Sequence, residues 1–556
     1  MRAADWAVLV LSLAAIVGYG IYRSRGSRTT RQYLLADKDM RWWVIGLSIM
    51  ATQASAITFI GTTGQGYTDG LRFVQFYFGL PIAMVVISAV AAPLFHRSGV
   101  FTAYEYLEKR FDSKTRTLAS LIFLVQRGLG VGLALYAPSV VLSVILGWSV
   151  QATIVTMGLL VVSYTVVGGI RAVMWTDAQQ MIIILLGLGA AFVSAIAGLP
   201  SDISFRDALA IAGEAGKLNA VELQFDWEDR YNLWSGLIGG SFLALAYFGT
   251  DQSQVQRYLT AKDLNHSRIS LLFNAVCKVP LQFVILLTGA LVFSFFQFTA
   301  PPALFDQARF ASLKAERNVS DLEIRYSTAF DVRQQAARSL AGSATPANRR
   351  AFQQANNDFD GVRSRFVALE EERSGESYND TNYIFLTFVI NFLPVGLVGL
   401  IIAAVFAAAM STISAELNSL ATASVIDHYQ RYMRPGLADE RYTMAARVAT
   451  AFWGLYATIF AGYAGQLGSL IEAVNIVGSL FYGAMLGVFV LAFGPWRTSG
   501  TGAFLGMLAG LAAVAYTRMY TDVTFLWFNV IGCLVTVIVG VAFPSRTTQR
   551  PRTGPA

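Results

Sequence analysis

ATQASAITFIG, residues 51–61, breaks an apolar segment with hydroxyls, an amide and a glycine. Hydrocarbon offers no partner to a backbone N–H or C=O, so irregular backbone at membrane depth is tolerated only where it lines a protein-enclosed cavity. A second stretch, ALAYFGTDQSQVQR at 244–257, repeats the device: Gly249 is followed by Thr250, Asp251 and Gln252. With the apolar segments numbered from zero, these stretches fall in spans one and six, five apart. Interrupted helices at corresponding positions of two halves mark a transporter made of internal repeats, with its binding site near the midplane. The alternative is that the small residues merely let helices pack closely.

The rest of the chain supplies the membrane protein. Of its 556 residues 55% are hydrophobic and 14% charged, with mean hydropathy +0.50, whereas soluble domains carry roughly 25% charged residues. Runs of about 20 apolar residues, the length of a bilayer core, recur along the chain and indicate about thirteen spans. The first, 4–22, has no small-residue cleavage site before Arg23 and reads as a retained helix. Cys277 and Cys533 both lie inside apolar runs and imply no disulfide framework.

The net charge of +7 reports topology. Bases gather at 23–41, 97–116, 257–268 (Arg257, Lys262, Arg268), 431–447 and 546–552, while the alternate short loops carry almost none. This positive-inside pattern puts the N-terminus outside and the C-terminus in the cytoplasm, in a plasma (inner) membrane. The partners implied are the lipid bilayer and a small solute, and no nucleic acid. Expected boundaries are 1–38 for the leading helix and its loop, 39–200 for spans one to five, and 201–298 for an outer loop with spans six and seven. Then follow a charged extracytoplasmic helical insert at 299–382, spans eight to ten at 383–495, and two trailing helices with a basic tail at 496–556. The insert contains helical stretches around 305–335 and 349–373 and reads as a hairpin capping the outer face.

Span eight carries AAAMSTISAELNS, 407–419. At 100° per residue Ala408, Ser411, Thr412 and Ala415 share one helical face, with Ser414 at its edge. Two adjacent hydroxyls and a neighbouring carbonyl give three oxygen ligands, and the unwound backbone of span one near Ala51 and Ala54 can supply more for a hard monovalent cation. No imidazole or thiolate cluster is present for a transition metal. The hydroxyls could instead bond back to carbonyls one turn earlier.

Four motifs together resemble the sodium:solute symporter family over nearly the full length outside the insert. They are SAITFIGTTGQGY (55–67), YTVVGGIRAVMWTDAQQ (164–180), YFGTDQSQVQRYLTAKD (247–263) and AAAMSTISAELNS. The resemblance implies an all-α polytopic LeuT-type fold, a five-plus-five inverted repeat of spans one to five and six to ten. It implies Na+ as the coupling ion, held by the carbonyls of Ala51, Ala54 and Ala408 and the hydroxyls of Ser411 and Thr412. Asp177 lies one to two turns inside span five, where a charge costs roughly 2.5–3.5 kcal/mol. In some members this Asp joins span-eight hydroxyls in a second sodium site; Ser411 and Ser414 match that pattern, but Ala415 replaces a further hydroxyl.

Members that take sugars use polar groups on span one and an acid on span two. Here Ile57, Thr58 and Tyr77 stand there, so a sugar is poorly served. The run GVGLALYAPSVVLS (130–143) looks closest to the branch carrying iodide, monocarboxylates and vitamins. Arg127, roughly 14 Å into span three, is a candidate anion partner, unless it snorkels or pairs with carbonyls. Lys278 matches a sugar-contacting lysine of the family; Gln53, Thr58, Tyr77 and Asn475 complete the candidate solute contacts. Phe76 is read as an outer gate and Tyr247 as an inner one.

The expected function is sodium-coupled import of a small organic solute by alternating access, with an organic anion such as a monocarboxylate as the expected class. The alternatives are a symporter for a neutral or zwitterionic solute such as an amino acid, or a transporter-like sensor, because fold alone does not establish flux. An enzyme is not expected: His96, His266 and His428 lie apart, with no nucleophile and base assembled.

Overall fold

The computed structural model describes residues 2–24, 29–464 and 470–545; the end of the basic tail lies outside the described residues. Nearly every described element is a helix. Among the described residues eight helices are long and apolar enough to cross a membrane, and the pair Trp42–Gln53 and Thr58–Thr68 forms a ninth span bent by 59°.

The helix Val150–Ala197 has 48 residues, about 70 Å at 1.5 Å per residue, twice a bilayer core. It divides at Gly169, whose φ of 56° and ψ of −152° reverse the chain into spans four and five. Among the described residues, the shorter apolar helices Ser235–Gly249, Gly478–Phe493 and Phe525–Val541 stand at the places expected for spans six, ten and twelve.

Span eight departs from its expected start near Tyr383. Thr381–Phe392 is a separate 12-residue helix, because Pro394 withholds a donor and Gly396 turns with φ 89°. The membrane helix then runs Leu397–Met433. It is the centre of the bundle: 83% of its apolar window is buried, against 22% for Ala3–Arg23 and 28% for Asp439–Tyr463. The leading helix is keyed to this centre by Asp5, whose Oδ1 accepts the N–H of Gly396 at 2.6 Å and of Gly399 at 3.2 Å. A carboxylate there meets the positive end of span eight.

Both interrupted spans use polar caps to restart. In span one Ser55 accepts the Thr58 N–H at 3.2 Å and opens Ala56–Thr68. In span six Thr250 leaves the helix after Gly249, and Asp251 accepts the Ser253 N–H at 2.9 Å to open Gln252–Leu259. Ser and Asp are strong N-caps because their side-chain oxygens replace the missing helical acceptor.

The insert comprises Gln307–Glu316 and the packed hairpin Ser320–Gly342 and Pro346–Ser374. Its buried Arg333 lies 3.6 Å from the Phe359 ring and donates to the Phe296 carbonyl at 2.8 Å, tying the hairpin to the end of span seven.

Candidate functional site

The break in span one opens the helical ladder at one carbonyl. Ala54 has φ −84° and ψ 54°, and the Thr58 N–H that would close on its carbonyl is taken by Ser55. Ala54 O thus loses its helical donor. Ala51 O accepts the Ala54 N–H at 3.1 Å. Span eight lays its hydroxyl face against the same turn. Thr412 Oγ1 donates to Thr52 O at 3.1 Å and to Ala408 O at 3.2 Å, and Ser411 Oγ lies 3.4 Å from Thr52 Oγ1. Ser411 and Thr412 therefore meet span one through Thr52, which adjoins Ala51 and stands two residues before Ala54, while the Ala408 carbonyl joins the group through Thr412 Oγ1 on its own helix. The set contains only hydroxyl and carbonyl oxygens, the ligands of a hard cation. Thr52 was not singled out from the sequence; its place in the unwound turn was the available signal.

Asp177 lies beside this set and already holds a counter-charge. Its Oδ2 accepts Ser48 Oγ at 2.6 Å and Arg257 Nη2 at 3.0 Å, with both charged side chains fully buried. Arg257 also donates to Ser48 Oγ at 2.8 Å and to Thr52 Oγ1 at 2.5 Å. The sequence places Arg257 among the bases of a cytoplasmic loop, and here the structure differs: the half-helix after the span-six break turns Arg257 into the protein. Ser414 Oγ donates to Ser411 O at 3.1 Å, and Ala415 is buried beside it.

Lys278 is 0% exposed, and among the described residues its Nζ has no hydrogen-bond partner. The ammonium lies 5.3 Å from the centroid of the Tyr77 ring. Asn274, Lys278 and Gln282 share a stripe of span seven at four-residue spacing. Asn274 Oδ1 accepts Gln53 Nε2 at 3.2 Å, while the buried Gln282 amide has no partner among the described residues. Thr58 Oγ1 donates to the Gln53 carbonyl at 3.3 Å. Gln53 thus reaches span seven, Thr58 braces the Gln53 carbonyl within the span-one break, and the Tyr77 ring lies over Lys278.

Arg127 is engaged elsewhere. Its Nε donates to Asp251 Oδ2 at 2.7 Å, Nη1 to Glu416 Oε1 at 2.7 Å and Nη2 to Tyr482 Oη at 2.6 Å. Its charge therefore meets two carboxylates, neither of which the sequence pointed to as a partner. Tyr247 accepts the Gln254 amide at 2.8 Å and lies with its ring 5.2 Å from the Arg127 guanidinium. Phe76 stacks on Phe73 at 5.6 Å and meets Tyr77 edge-on at 5.0 Å. The side chain of Asn475 lies outside the described residues.

The family model "Sodium:solute symporter family" matches residues 33–314 and 364–510. A sodium-coupled monocarboxylate transporter 2 of Mus musculus is 26% identical over 514 residues, covering 91% of this chain and 71% of its own. A sodium/glucose cotransporter of Vibrio parahaemolyticus is 27% identical over 561 residues, covering 98% and 90%. The solved substrate-bound outward-open structure of a Na+-coupled sialic acid symporter superposes with TM-score 0.77 at 25% identity, covering 97% of each chain.

Proposed function

The chain belongs to the sodium:solute symporter family, and from that premise we propose that it imports a small organic anion, of the monocarboxylate class, together with one sodium ion. The observation that carries this reading is the fully buried Lys278 ammonium without a hydrogen-bond partner among the described residues. A charge taken out of water and left unpaired costs several kcal/mol. A solute carboxylate beside Nζ removes that cost, and the Tyr77 face and the Gln282 amide border the same place. Similarity to a monocarboxylate transporter supports the same class.

Sodium is received by the Ser411 and Thr412 hydroxyls and the carbonyls of Ala51, Ala54 and Ala408. The contacts of Thr412 and Ser411 with Thr52 support the pairing of spans one and eight. Asp177, the candidate for a second ion with Ser411 and Ser414, is already neutralised by Arg257, which favours one ion. Gln53, Thr58, Tyr77 and Asn475 complete the solute site, between the outer gate Phe76 and the inner gate Tyr247. Arg127 is left to hold helices together. The basic loops face the cytoplasm of a plasma membrane, with the N-terminus outside.

One sodium with one monovalent anion moves no net charge, so a tenfold sodium gradient supplies about 1.4 kcal/mol and limits accumulation to roughly tenfold. The site itself is tested by thermal unfolding of the purified protein in detergent with and without sodium, against short monocarboxylates, amino acids and hexoses. Ligands that bind the folded state raise its apparent stability. Stabilisation by monocarboxylates that needs both sodium and Lys278 is expected. Stabilisation by amino acids alone would replace the anion with a zwitterion.

A further inference from the structure

The loop that leads into span six carries a pattern of its own. Over VELQFDWE, 221–228, apolar and polar residues alternate without a break: Val221, Leu223, Phe225 and Trp227 against Glu222, Gln224, Asp226 and Glu228. A period of two separates an apolar face from a polar one in extended chain, and no helix forms between 219 and 232. The four apolar side chains are nonetheless 45–67% exposed. An exposed apolar patch rimmed by polar residues marks a membrane or protein contact.

The segment is held on the bundle along both edges. The Glu222 N–H donates to Gln75 Oε1 at 2.9 Å, and Gln75 Nε2 donates to the Tyr231 carbonyl at 2.7 Å. Arg72 pairs with Asp229 at 3.1 Å. These contacts tie it to Gly70–Tyr77, the short helix that carries Phe76 and Tyr77. On the other edge Trp234 Nε1, at the start of span six, donates to the Leu223 carbonyl at 3.1 Å, and the Thr524 N–H, at the start of span twelve, donates to the Trp227 carbonyl at 3.1 Å. The Trp527 ring lies 4.7 Å from that of Trp227 and 6.1 Å from that of Phe225.

The apolar face is therefore level with the ends of two spans, at the end of span six opposite its basic loop with Arg257, Lys262 and Arg268. The exposed Trp234 and Ile238 continue the apolar surface from the segment down span six. Span ends mark the boundary of hydrocarbon and headgroups, where amphipathic rings such as Trp concentrate. A second copy docked on this face would set its acids against the same acids, an unfavourable contact. We propose that residues 221–227 form a lipid-binding surface. Leu223, Phe225 and Trp227 sit in the glycerol and upper acyl region of one leaflet, with Gln224 and Asp226 on the water side. The contact moors Gly70–Tyr77 to the membrane surface, whichever solute is carried.

Spin labelling of the protein in phosphatidylcholine vesicles tests this surface without any flux. Labels on Leu223→Cys and Phe225→Cys should be more accessible to dissolved oxygen than to a water-soluble nickel chelate, and labels on Gln224→Cys and Asp226→Cys the reverse. The wild-type chain, treated alike, supplies the background of Cys277 and Cys533. Nickel accessibility at all four positions would leave the segment in water and overturn the proposal. Dipolar broadening between labels at Leu223→Cys would put a second copy there and overturn it equally. Without labels, vesicles of phosphatidylcholine brominated near the glycerol end of the acyl chains should quench a larger fraction of tryptophan emission in the wild type than in Trp227→Phe. Equal quenching contradicts the proposal even if a cysteine variant fails to fold.

Discussion

Arg257 Nη2 lies 3.0 Å from Asp177 Oδ2, and neither side chain has any solvent exposure. The contact joins the half-helix after the span-six break to span five, with Ser48 of span one bonded to both partners. One buried pair therefore ties both interrupted helices to the element that follows the Gly169 turn.

Removing one partner leaves the other charge buried, which costs about 3–5 kcal/mol. Asp177→Asn and Arg257→Gln should each lower unfolding stability in detergent by that order. The double variant should lose less than the sum, because the charges are removed together. Strictly additive losses would show that the two groups do not interact.

Ser411→Ala and Thr412→Ala each delete one hydroxyl from the proposed sodium set. About 1.4 kcal/mol of lost coordination is tenfold in affinity, so half-maximal uptake should need about ten times more sodium. Folded Thr412→Ala protein with unaltered sodium dependence would remove Thr412 from the set.

Gly169 occupies positive φ, and a Cβ there would run into the Tyr33 carbonyl and ring. Gly169→Ala should lower the unfolding temperature, since its φ of 56° with ψ of −152° is a backbone open essentially to glycine alone and costs roughly 1–3 kcal/mol for a residue with a Cβ. Gly130→Ala, in open space, is the control and should be close to neutral.

At the basic-loop face, burial pushes the Glu108 carboxyl up. Arg116 at 2.7 Å and Arg431 at 2.5 Å outweigh that and hold it below the usual carboxylate range. A depressed native value means stability that is present above the unfolded value of roughly 4.3 and lost as pH falls through the native one. Unfolding midpoints of the wild type should drop across that acid window, and Glu108→Gln should show a smaller drop.

The span count and the two breaks are legible in the sequence because bilayer thickness fixes run length and because Gly249, Asp251 and the 51–61 hydroxyls have no place in a continuous hydrocarbon helix. The hydroxyl face of Ser411 and Thr412 follows from helical spacing alone. Pairing across the bundle does not. Asp177 and Arg257 are 80 residues apart and Arg127 and Glu416 are 289 apart, and local periodicity is silent on which charge meets which. Arg257 was concealed by its neighbours Lys262 and Arg268, with which it reads as a loop base. Pro394 and Gly396 did carry the signal that splits Thr381–Phe392 from span eight, inside a run whose hydropathy stays high throughout.

The central claim, sodium-coupled uptake of an organic anion received by Lys278, is tested most directly in proteoliposomes loaded with potassium buffer and given an inward sodium gradient and radiolabelled lactate. Lactate should accumulate to roughly tenfold with a tenfold gradient. Accumulation should vanish when potassium replaces sodium outside and when Lys278 is changed to Met in folded protein. Lactate entry that ignores sodium, or that survives Lys278→Met unchanged, would contradict it.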